Sequence, residues 1–251
     1  MKIDIVTVFP GFFTSPLDTS ILARAGTKGL VQIELHDLRH YAVDRHKTVD
    51  DAPYGGGGGM LIKPEPVLQA WEALQLKRGH CIYLSADGEP LDQPLAMRLS
   101  LQDHLVLLCG HYKGIDERIR RHCIDQEISI GDYVLTGGET AALVLVDTVV
   151  RLIPGVLGNF SSALEDSFHE GLLDCPWYTR PTEFKDEQVP PVLLSGDHEE
   201  VQQWRRHQAL RRTFERRPEL LDKAELDEEE RRLIDKWTKE QVSSEAFKKS
   251  R

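Results

Sequence analysis

Residues 127–139, with the sequence EISIGDYVLTGGE, decide the fold that is predicted for this chain. The first residues alternate apolar and polar side chains, which indicates a short strand, and Gly131 follows where that strand would end. Gly137 and Gly138 then precede the segment 140–153, which is apolar nearly all round and should be buried on several sides. The stretch therefore predicts a strand, a glycine-containing loop and a buried helix.

The paired glycines permit two interpretations. Glycine adopts positive φ and lets a ligand approach the backbone closely, which suits a flat heteroaromatic ring held by main-chain amides and carbonyls. A tight turn without any ligand also uses such a pair. The two glycines alone leave both interpretations open.

Strands alternate with helices on both sides of this stretch, which predicts an α/β domain with a mostly parallel sheet. The segment 104–109 is almost continuously apolar, as expected for a strand at the centre of such a sheet. The segment 64–76 places apolar side chains, Leu68 among them, on one helical face. The predicted strands are 3–9, 31–35, 80–84 and 104–109, and the predicted helices are 18–25, 64–76 and one that carries Ile115, Ile119 and Cys123.

Three glycine-containing loops follow predicted strands, at 85–88, 110–114 and 131–138. The first of them, 85–88, has the composition of a turn. Ligands bind at the carboxyl ends of the strands in parallel sheets, so these loops form the predicted binding site. The chain contains no G-x-G-x-x-G or Walker A pattern, and neither a dinucleotide nor a triphosphate loop is supported.

The composition limits the class of protein. The chain has 251 residues, of which 40% are hydrophobic, enough for a proper core. No apolar run approaches the roughly 18 residues that span a bilayer, and the N-terminus MKIDIV indicates a strand rather than a signal peptide. We therefore expect a cytoplasmic protein with no membrane partner. The net charge of −10 argues against indiscriminate nucleic-acid binding, so RNA would need a local basic face.

Neither the cysteines nor the histidines suggest a metal site. The four cysteines form no C-x-x-C pair and are predicted to be reduced and mostly buried. Three histidines in and beside a polar stretch lack a convincing third ligand and are interpreted as solvated loop residues. The residues concerned are Cys81, Cys109, Cys123 and Cys175, and His36, His40 and His46.

The chain changes character after residue 156. Residues 157–173 are small and acidic with little periodicity, which predicts a linker between domain 1–156 and a helical domain 174–251. On the predicted helix 197–217, three arginines lie on the side opposite its apolar residues. A charged stripe is usually a solvated face, but few acids lie among these arginines, which favours contact with a phosphate backbone. The three are Arg205, Arg212 and Arg216.

Six segments stand out along the chain: PYGGGGGML at 53–61, GIDER at 114–118, IGDYVLTGGE at 130–139 continuing to RLIPG at 151–155, EDSF at 165–168, GLLDCPWYTRP at 171–181, and VPPVLLSGDHEEVQQWR at 189–205. Together they resemble the motifs of the bacterial tRNA (guanine-N1)-methyltransferases. These enzymes belong to the S-adenosylmethionine-dependent SPOUT class, whose α/β fold has a C-terminal trefoil knot. The segments cover nearly the whole chain in the family's order.

The resemblance implies an activity. A methyl group would pass from S-adenosylmethionine to N1 of the guanosine 3′ of the anticodon in tRNA, position 37. Guanine N1 carries a hydrogen, so a base must remove it while a cation stabilises the charge that develops at O6. By resemblance, Asp166 is the base and Arg151 the cation. The linker is expected to close over the guanine and desolvate Asp166.

The resemblance also implies partners and binding residues. The family forms homodimers with the active site at the subunit interface, and its small helical C-terminal domain binds tRNA. Gly56 and Gly57 are RNA contacts that the resemblance implies, in addition to the three arginines inferred above from the charge pattern of their helix. Assistance by Mg²⁺ is left open, with no protein ligands assigned. The implied cofactor-binding residues are Tyr83, Leu84, Ser85, Gly110, Tyr112, Gly114, Ile130, Gly131, Tyr133, Leu135, Gly137 and Gly138.

Two alternatives stay open: a catalytically silent RNA-binding protein with the same fold, and a SPOUT methyltransferase that acts on a ribose hydroxyl. Arg151, Asp166 and the arginine-bearing helix favour base methylation. The chain departs from the family's usual residues in three loops. Gly58 stands where the family usually has Pro, and Ala86 and Asp87 stand where it usually has Pro-Gln. His111 and Lys113 stand where Arg and Glu are more frequent.

Overall fold

The structure is a computed structural model that describes residues 1–158, 166–168 and 170–249, with 242–249 described by their backbone only. The chain forms two compact units, Met1–Ala163 and Leu164–Arg251.

The first unit contains an α/β sheet. Its strands are β1 (Lys2–Thr7), β2 (Gln32–Asp37), β3 (Asp50–Asp51), β4 (Leu61–Ile62), β5 (His80–Pro90), β6 (His104–Leu108) and β7 (Gln126–Ser129). Its helices are α1 (Thr14–Leu17), α2 (Ser20–Thr27), α3 (Pro64–Ala73), α4 (Gln93–Ser100), α5 (Glu117–Cys123) and α6 (Glu139–Val150).

Five strands form one sheet in the order β2-β1-β6-β5-β7, and all neighbours pair in parallel. The apolar strand β6 lies at the centre, as predicted for 104–109. β3 and β4 form a separate antiparallel pair. The predicted α/β fold with a parallel sheet is therefore confirmed.

Helices cover both faces of the sheet. On one face α2, α4 and α6 pack against the buried side chains of Ile3, Ile5 and Leu107. On the other face α3 and α5 pack against Val6 and Leu108. Since a parallel sheet with both faces covered needs apolar residues on both, β6 has no alternation of polar and apolar side chains.

The helix α6 follows the decisive stretch, as predicted, but it is not buried all round. Val144, on the side away from the sheet, is 41% exposed. The buried apolar residues follow helical spacing, which places them on one broad face. They are Ala141, Ala142, Leu145, Val146, Val149 and Val150.

The predicted buried face of α3 contains one error. Val67 and Trp71 are buried, but Leu68 is 37% exposed. Leu68 lies about 100° round the helix from Val67, at the margin of the apolar face. Ala70 is fully buried and belongs, with Val67 and Trp71, to the core on this side of the sheet.

The predicted turn at 85–88 is a bulge within β5 instead. The strand continues to Pro90, and its register shifts so that Leu84 and Glu89 both lie opposite Ile128. The extra residues bend away from the ladder, as in a β-bulge. A Cβ atom on Gly88 would clash with the backbone of Ile128, so the close approach at the end of the bulge requires glycine.

The interpretation of His36 as a solvated loop residue is wrong. His36 lies on β2, and its Nε2 is 2.6 Å from Oδ1 of the fully buried Asp4. His104 Nε2 lies 2.6 Å from the other oxygen, and Lys2 Nζ is 3.0 Å from it. Burial opposes ionisation of Asp4, but these three hydrogen-bond donors outweigh it and hold the pKa of the carboxyl well below its usual range.

The same cluster has the ligand types of a metal site. Asp4, Glu34 and His36 offer atoms within 4.8 Å of one another. However, Lys2 Nζ lies 3.0 Å from Asp4 and 3.3 Å from Glu34, so the protein's own ammonium balances the carboxylates. The cluster is thus an internal ion-pair network that joins β1, β2 and β6.

We expect Asp4→Asn to lower the free energy of unfolding by about 2 to 4 kcal/mol at pH 7, because it breaks a buried, hydrogen-bonded ion pair. The folded-state pKa of Asp4 is lowered, so its contribution is fully present above the unfolded-state value of about 3.9 and decreases progressively as the pH falls from that value through the lower folded-state pKa. Urea unfolding at pH 7 and at pH 3 should show the deficit shrinking at low pH.

Glu34→Gln provides the control for Asp4→Asn. Glu34 is half exposed and bonds Lys2 at the margin of the cluster, so its loss should change stability by less than about 1 kcal/mol. Equal deficits for the two variants, or an Asp4→Asn deficit that is as large at pH 3 as at pH 7, would show that the buried carboxylate is not what stabilises this end of the sheet.

The second unit contains the strands β8 (Glu183–Phe184) and β9 (Glu187–Gln188) and the helices α7 (His198–Arg216) and α8 (Glu228–Lys249). Leu172, Leu210 and Trp237 form its core. Leu172, within the expected linker, is only 5% exposed, and the amide of Leu173 donates to Thr213 Oγ1. The described end of that linker therefore folds with the second unit, while 159–165 lie outside the described residues.

The four cysteines are free and buried, as predicted. Burial raises the pKa of Cys81 to about 12 and that of Cys175 to about 11, and it also raises those of Cys109 and Cys123. Among the described residues, no helix has the length and apolar content that crossing a bilayer demands.

Candidate active site

A cleft of about 310 Å³ lies where the carboxyl ends of β5, β6 and β7 meet the start of α6. The loops after β6 and β7 and the bulge of β5 form its walls, as expected for a ligand site in a parallel sheet. The structure brings all the predicted cofactor-binding residues to this one cleft: Tyr83, Leu84, Ser85, Gly110, Tyr112, Gly114, Ile130, Gly131, Tyr133, Leu135, Gly137 and Gly138.

The walls combine apolar side chains with exposed backbone. Leu84, Ile130 and Ala141 contribute apolar surface, and Leu135 is 39% exposed towards solvent. Gly114, which also lines the cleft, has φ +125°, a conformation that only glycine adopts easily. Apolar walls with a few main-chain polar groups are typical of sites for flat ring systems.

Close packing joins the two glycine loops. The amide of Gly138 donates to the carbonyl of Gly110 at 2.7 Å, and a bridge pairs His111 with Gly137. A Cβ atom on Gly110 would lie 2.7 Å from the hydroxyl oxygen of Tyr83. The loops are thus fixed against each other before any ligand binds.

The conformation of Gly137 and Gly138 differs from the expectation. Neither has positive φ, and Gly138 is in the helical region at φ −78°. A Cβ atom on Gly138 would lie 3.0 Å from Cys109 Cα and 3.0 Å from Gly110 N. Protein backbone, not space for a ligand ring, therefore requires glycine at 138.

We expect Gly138→Val to lower cofactor affinity and thermal stability together, because its side chain must displace the backbone of the loop that follows β6. Overpacking of this kind costs about 1 to 3 kcal/mol. Calorimetric binding and thermal unfolding without ligand would measure the two effects. Gly26→Val is the matched control, since nothing lies within 4 Å of its Cβ position. A Gly138→Val protein that unfolds at the wild-type temperature yet binds no cofactor would instead support a direct ligand contact.

A buried carboxylate, which the sequence analysis missed, lies beneath the glycine loops. Glu139 is 4% exposed and accepts a hydrogen bond from Thr7 Oγ1 at 2.8 Å. His111 Nδ1 lies 3.9 Å from Glu139 Oε2 and, among the described residues, has no hydrogen-bond partner. A Cβ atom on Gly137 would clash with both, so Gly137 separates the histidine from the carboxylate.

Arg120 also lines the cleft and was not predicted. Its Nη1 lies 2.7 Å from Glu127 and 3.0 Å from Asp87, and its guanidinium stacks over Tyr83 at 5.1 Å. Burial opposes its charge, but the two carboxylates outweigh burial and raise the pKa of Arg120. Asp87, one of the departures from the family, thus gains a role as an ion-pair partner at the cleft.

The glycine run next to β4 has an unusual backbone. Gly55, Gly56, Gly57 and Gly59 have positive φ, whereas Gly58 does not. The side chain of Lys113 lies along this run, because Cβ positions on Gly57 and Gly59 are each 3.6 Å from its atoms. Lys113 also lines the cleft, so it links the glycine run to the predicted cofactor site.

The two predicted catalytic residues lie in different units. Arg151 follows the last residue of α6 in the first unit and is partly buried. Asp166 lies in the second unit, where it lines a cavity of about 170 Å³ together with Trp177 and Arg205. Their roles remain predictions.

The predicted arginine face is partly engaged within the second unit. Arg205 stacks over Trp177 at 4.5 Å from its centroid, and Arg212 Nη1 donates to the carbonyl of Asp174 at 3.0 Å. Arg216 is exposed at the end of α7. Arg212 therefore holds the segment before Cys175 in place, whatever its role towards RNA.

The parallel sheet and the glycine-walled cleft at its carboxyl edge define an α/β protein with a cleft where parallel sheets usually hold their ligands. A family model described as "tRNA (Guanine-1)-methyltransferase TrmD" matches residues 1–223. The chain belongs to this tRNA (guanine-1)-methyltransferase family, which confirms the resemblance drawn from the motifs.

Several relatives are similar over nearly their whole length, and each carries the name tRNA (guanine-N(1)-)-methyltransferase. The protein of Dictyoglomus turgidum is 50% identical over 96% of this chain and 98% of its own. That of Geobacillus kaustophilus is 51% identical over 96% and 99%. That of Chlorobium chlorochromatii is 56% identical over 89% and 98%.

Proposed function

We propose that this protein transfers a methyl group from S-adenosylmethionine to N1 of guanosine 37 in tRNA. The observation that carries the proposal is that the twelve cofactor residues implied by the resemblance, which come from three separate stretches of the chain, all line one cleft. Family membership over residues 1–223 supports the reaction class.

The cleft fits the proposed cofactor. Its apolar walls at Leu84, Ile130 and Ala141 suit the adenine ring, and the backbone of the loops after β6 and β7 offers hydrogen-bonding groups to a polar tail. S-adenosylmethionine would supply a methyl group that is already activated on a sulfonium. The protein then needs only to orient donor and acceptor and to manage one proton.

Asp166 and Arg151 would manage that proton. Asp166 would accept the hydrogen of guanine N1, which turns this nitrogen into a nucleophile. Arg151 would donate hydrogen bonds to guanine O6, where negative charge develops as the proton leaves. The open backbone at Gly56 and Gly57, next to Lys113, would contact the RNA around the guanine.

The finer expectations belong to the same proposal. Asp166 would act on the cofactor bound by a partner subunit, in a homodimer whose knotted domains follow the SPOUT pattern. A cytoplasmic location suits an enzyme that acts on tRNA and whose cysteines are reduced. Assistance by Mg²⁺ stays open, and no residue of the chain is assigned as its ligand.

The test is transfer of a labelled methyl group from S-adenosylmethionine to tRNA, followed by nucleoside analysis. We expect label in 1-methylguanosine, and none in tRNA that carries adenosine at position 37. Label in a 2′-O-methylated nucleoside would favour the ribose-methylating alternative. Absence of label, with tRNA binding intact, would favour a silent RNA-binding protein.

A further inference from the structure

The second unit contains a second cavity that the proposed reaction does not use. It has a volume of about 360 Å³ and lies beside the start of α7. Three of its side chains are large, apolar and about half exposed: Trp177 at 56%, Tyr178 at 49% and Leu194 at 60%. We call it the Trp177 groove, formed by Trp177, Tyr178, Arg180, Leu193, Leu194 and Arg205.

The Trp177 ring is held in place although it is exposed. Its Nε1 donates to Asp174 Oδ2 at 2.5 Å, and the guanidinium of Arg205 covers it at 4.5 Å from the centroid. Tyr178 in turn lies 6.4 Å from the ring of Trp204. A fixed, half-exposed indole is a stacking surface for an unpaired base, because every base has a π-face.

The charge of the groove suits a polyanion. Two arginines, Arg180 and Arg205, line it, and none of its described lining residues is acidic. Asp174 touches only the edge of the indole. In a chain with a net charge of −10, such a local basic surface is complementary to a phosphate rather than to the rest of the protein.

The groove adjoins the cavity that contains Asp166. Trp177 and Arg205 line both cavities, so this stacked pair forms their common wall. A guanine placed at Asp166 would therefore have a neighbouring nucleotide within reach of the groove.

We propose that the Trp177 groove binds one unpaired nucleotide next to the methylated guanosine, with its base on Trp177 and its phosphate at Arg180 or Arg205. This inference rests on the proposed function. Stacking and phosphate contacts do not distinguish base edges, so the groove adds affinity for an unpaired nucleotide without selecting which base it carries.

Binding of unmodified tRNA to Trp177→Ala and Trp177→Phe tests the stacking. Loss of one stacked base should weaken binding about 5- to 150-fold, which corresponds to about 1 to 3 kcal/mol. Trp177→Phe keeps an aromatic face and should retain most of the affinity. Phe184→Ala is the control, because Phe184 is an exposed aromatic outside the groove. Equal affinity for Trp177→Ala and wild type would overturn the proposal.

The phosphate contact has its own readout. Arg180→Gln or Arg205→Gln, whichever residue holds the phosphate, should reduce the slope of log affinity against log salt by about 0.7 to 0.9, and an unchanged slope in both variants would overturn the proposal. Sedimentation of each variant gives its oligomeric state. If Trp177→Ala changes that state and binding falls only as a consequence, the groove is a contact between copies of the chain, and the proposal fails.

Anticodon stem-loops with a single abasic site identify the nucleotide. When the abasic site lies at the position that occupies the groove, wild type and Trp177→Ala should bind the RNA with equal affinity. When that position carries any base, wild type should bind more tightly than Trp177→Ala. A penalty that is the same at all positions would overturn the proposal. Methyl transfer by wild type is measured separately. RNA binding that depends on Trp177 but is not followed by methyl transfer would refute the proposed reaction and still support nucleotide binding in the Trp177 groove.

Discussion

Asp166→Asn is expected to lower the rate of methyl transfer by about 10²- to 10⁴-fold, the usual contribution of a general base. The asparagine keeps the shape of the side chain but cannot accept the N1 proton. Affinity for S-adenosylmethionine should not change, because the predicted cofactor residues all lie in the first unit whereas Asp166 lies in the second. Single-turnover kinetics and calorimetry would separate the two quantities.

Mixed dimers test whether Asp166 serves a partner's cofactor. Leu135→Glu places a charge in the apolar part of the cleft, at a side chain exposed enough to be replaced without core damage. Asp166→Asn and Leu135→Glu subunits should each be inactive alone. If the site is shared, a mixed dimer has one intact site and regains up to about half of the wild-type activity per dimer. A fully exchanged mixture that stays inactive would exclude a shared site, and an active Asp166→Asn homodimer would exclude Asp166 as the base.

Arg151→Ala should lower the rate by about 10²- to 10³-fold, as does loss of one donor to a developing oxyanion. Arg151→Lys should have an intermediate rate, since it keeps the charge but loses the planar fork. The deficit of Arg151→Ala should shrink as the pH rises, because the N1 proton then leaves more easily without a cation at O6. A pH–rate profile parallel to that of wild type would assign Arg151 a purely structural role.

The outline of the fold was predictable because it depends on patterns that lie within short segments. The continuous apolar run at 104–109 predicted the central strand, and α6 was predicted from the residues after Gly138. The loops at the carboxyl ends of the strands then had to meet at one edge of the sheet. Periodicity alone therefore located the cleft, and the family motifs specified its residues.

The errors concern positions where long-range contacts decide the outcome. His36 was interpreted as solvated because its partner Asp4, whose other oxygen contacts His104, is distant in sequence. Gly138 was expected to make room for a ligand, but the backbone that fills this space belongs to the loop after β6. No local pattern reveals either neighbour, and the same applies to Arg120, whose partners Asp87 and Glu127 come from β5 and β7.

The buried thiols give the native chain a practical property in labelling chemistry. Maleimides react with thiolates, and burial together with a raised pKa keeps Cys81, Cys109, Cys123 and Cys175 in the unreactive form. A cysteine in place of the exposed Gln203 on α7 would therefore react far faster than the native four, which mass spectrometry would verify. A single dye there could report RNA binding in a protein that keeps all of its natural core residues.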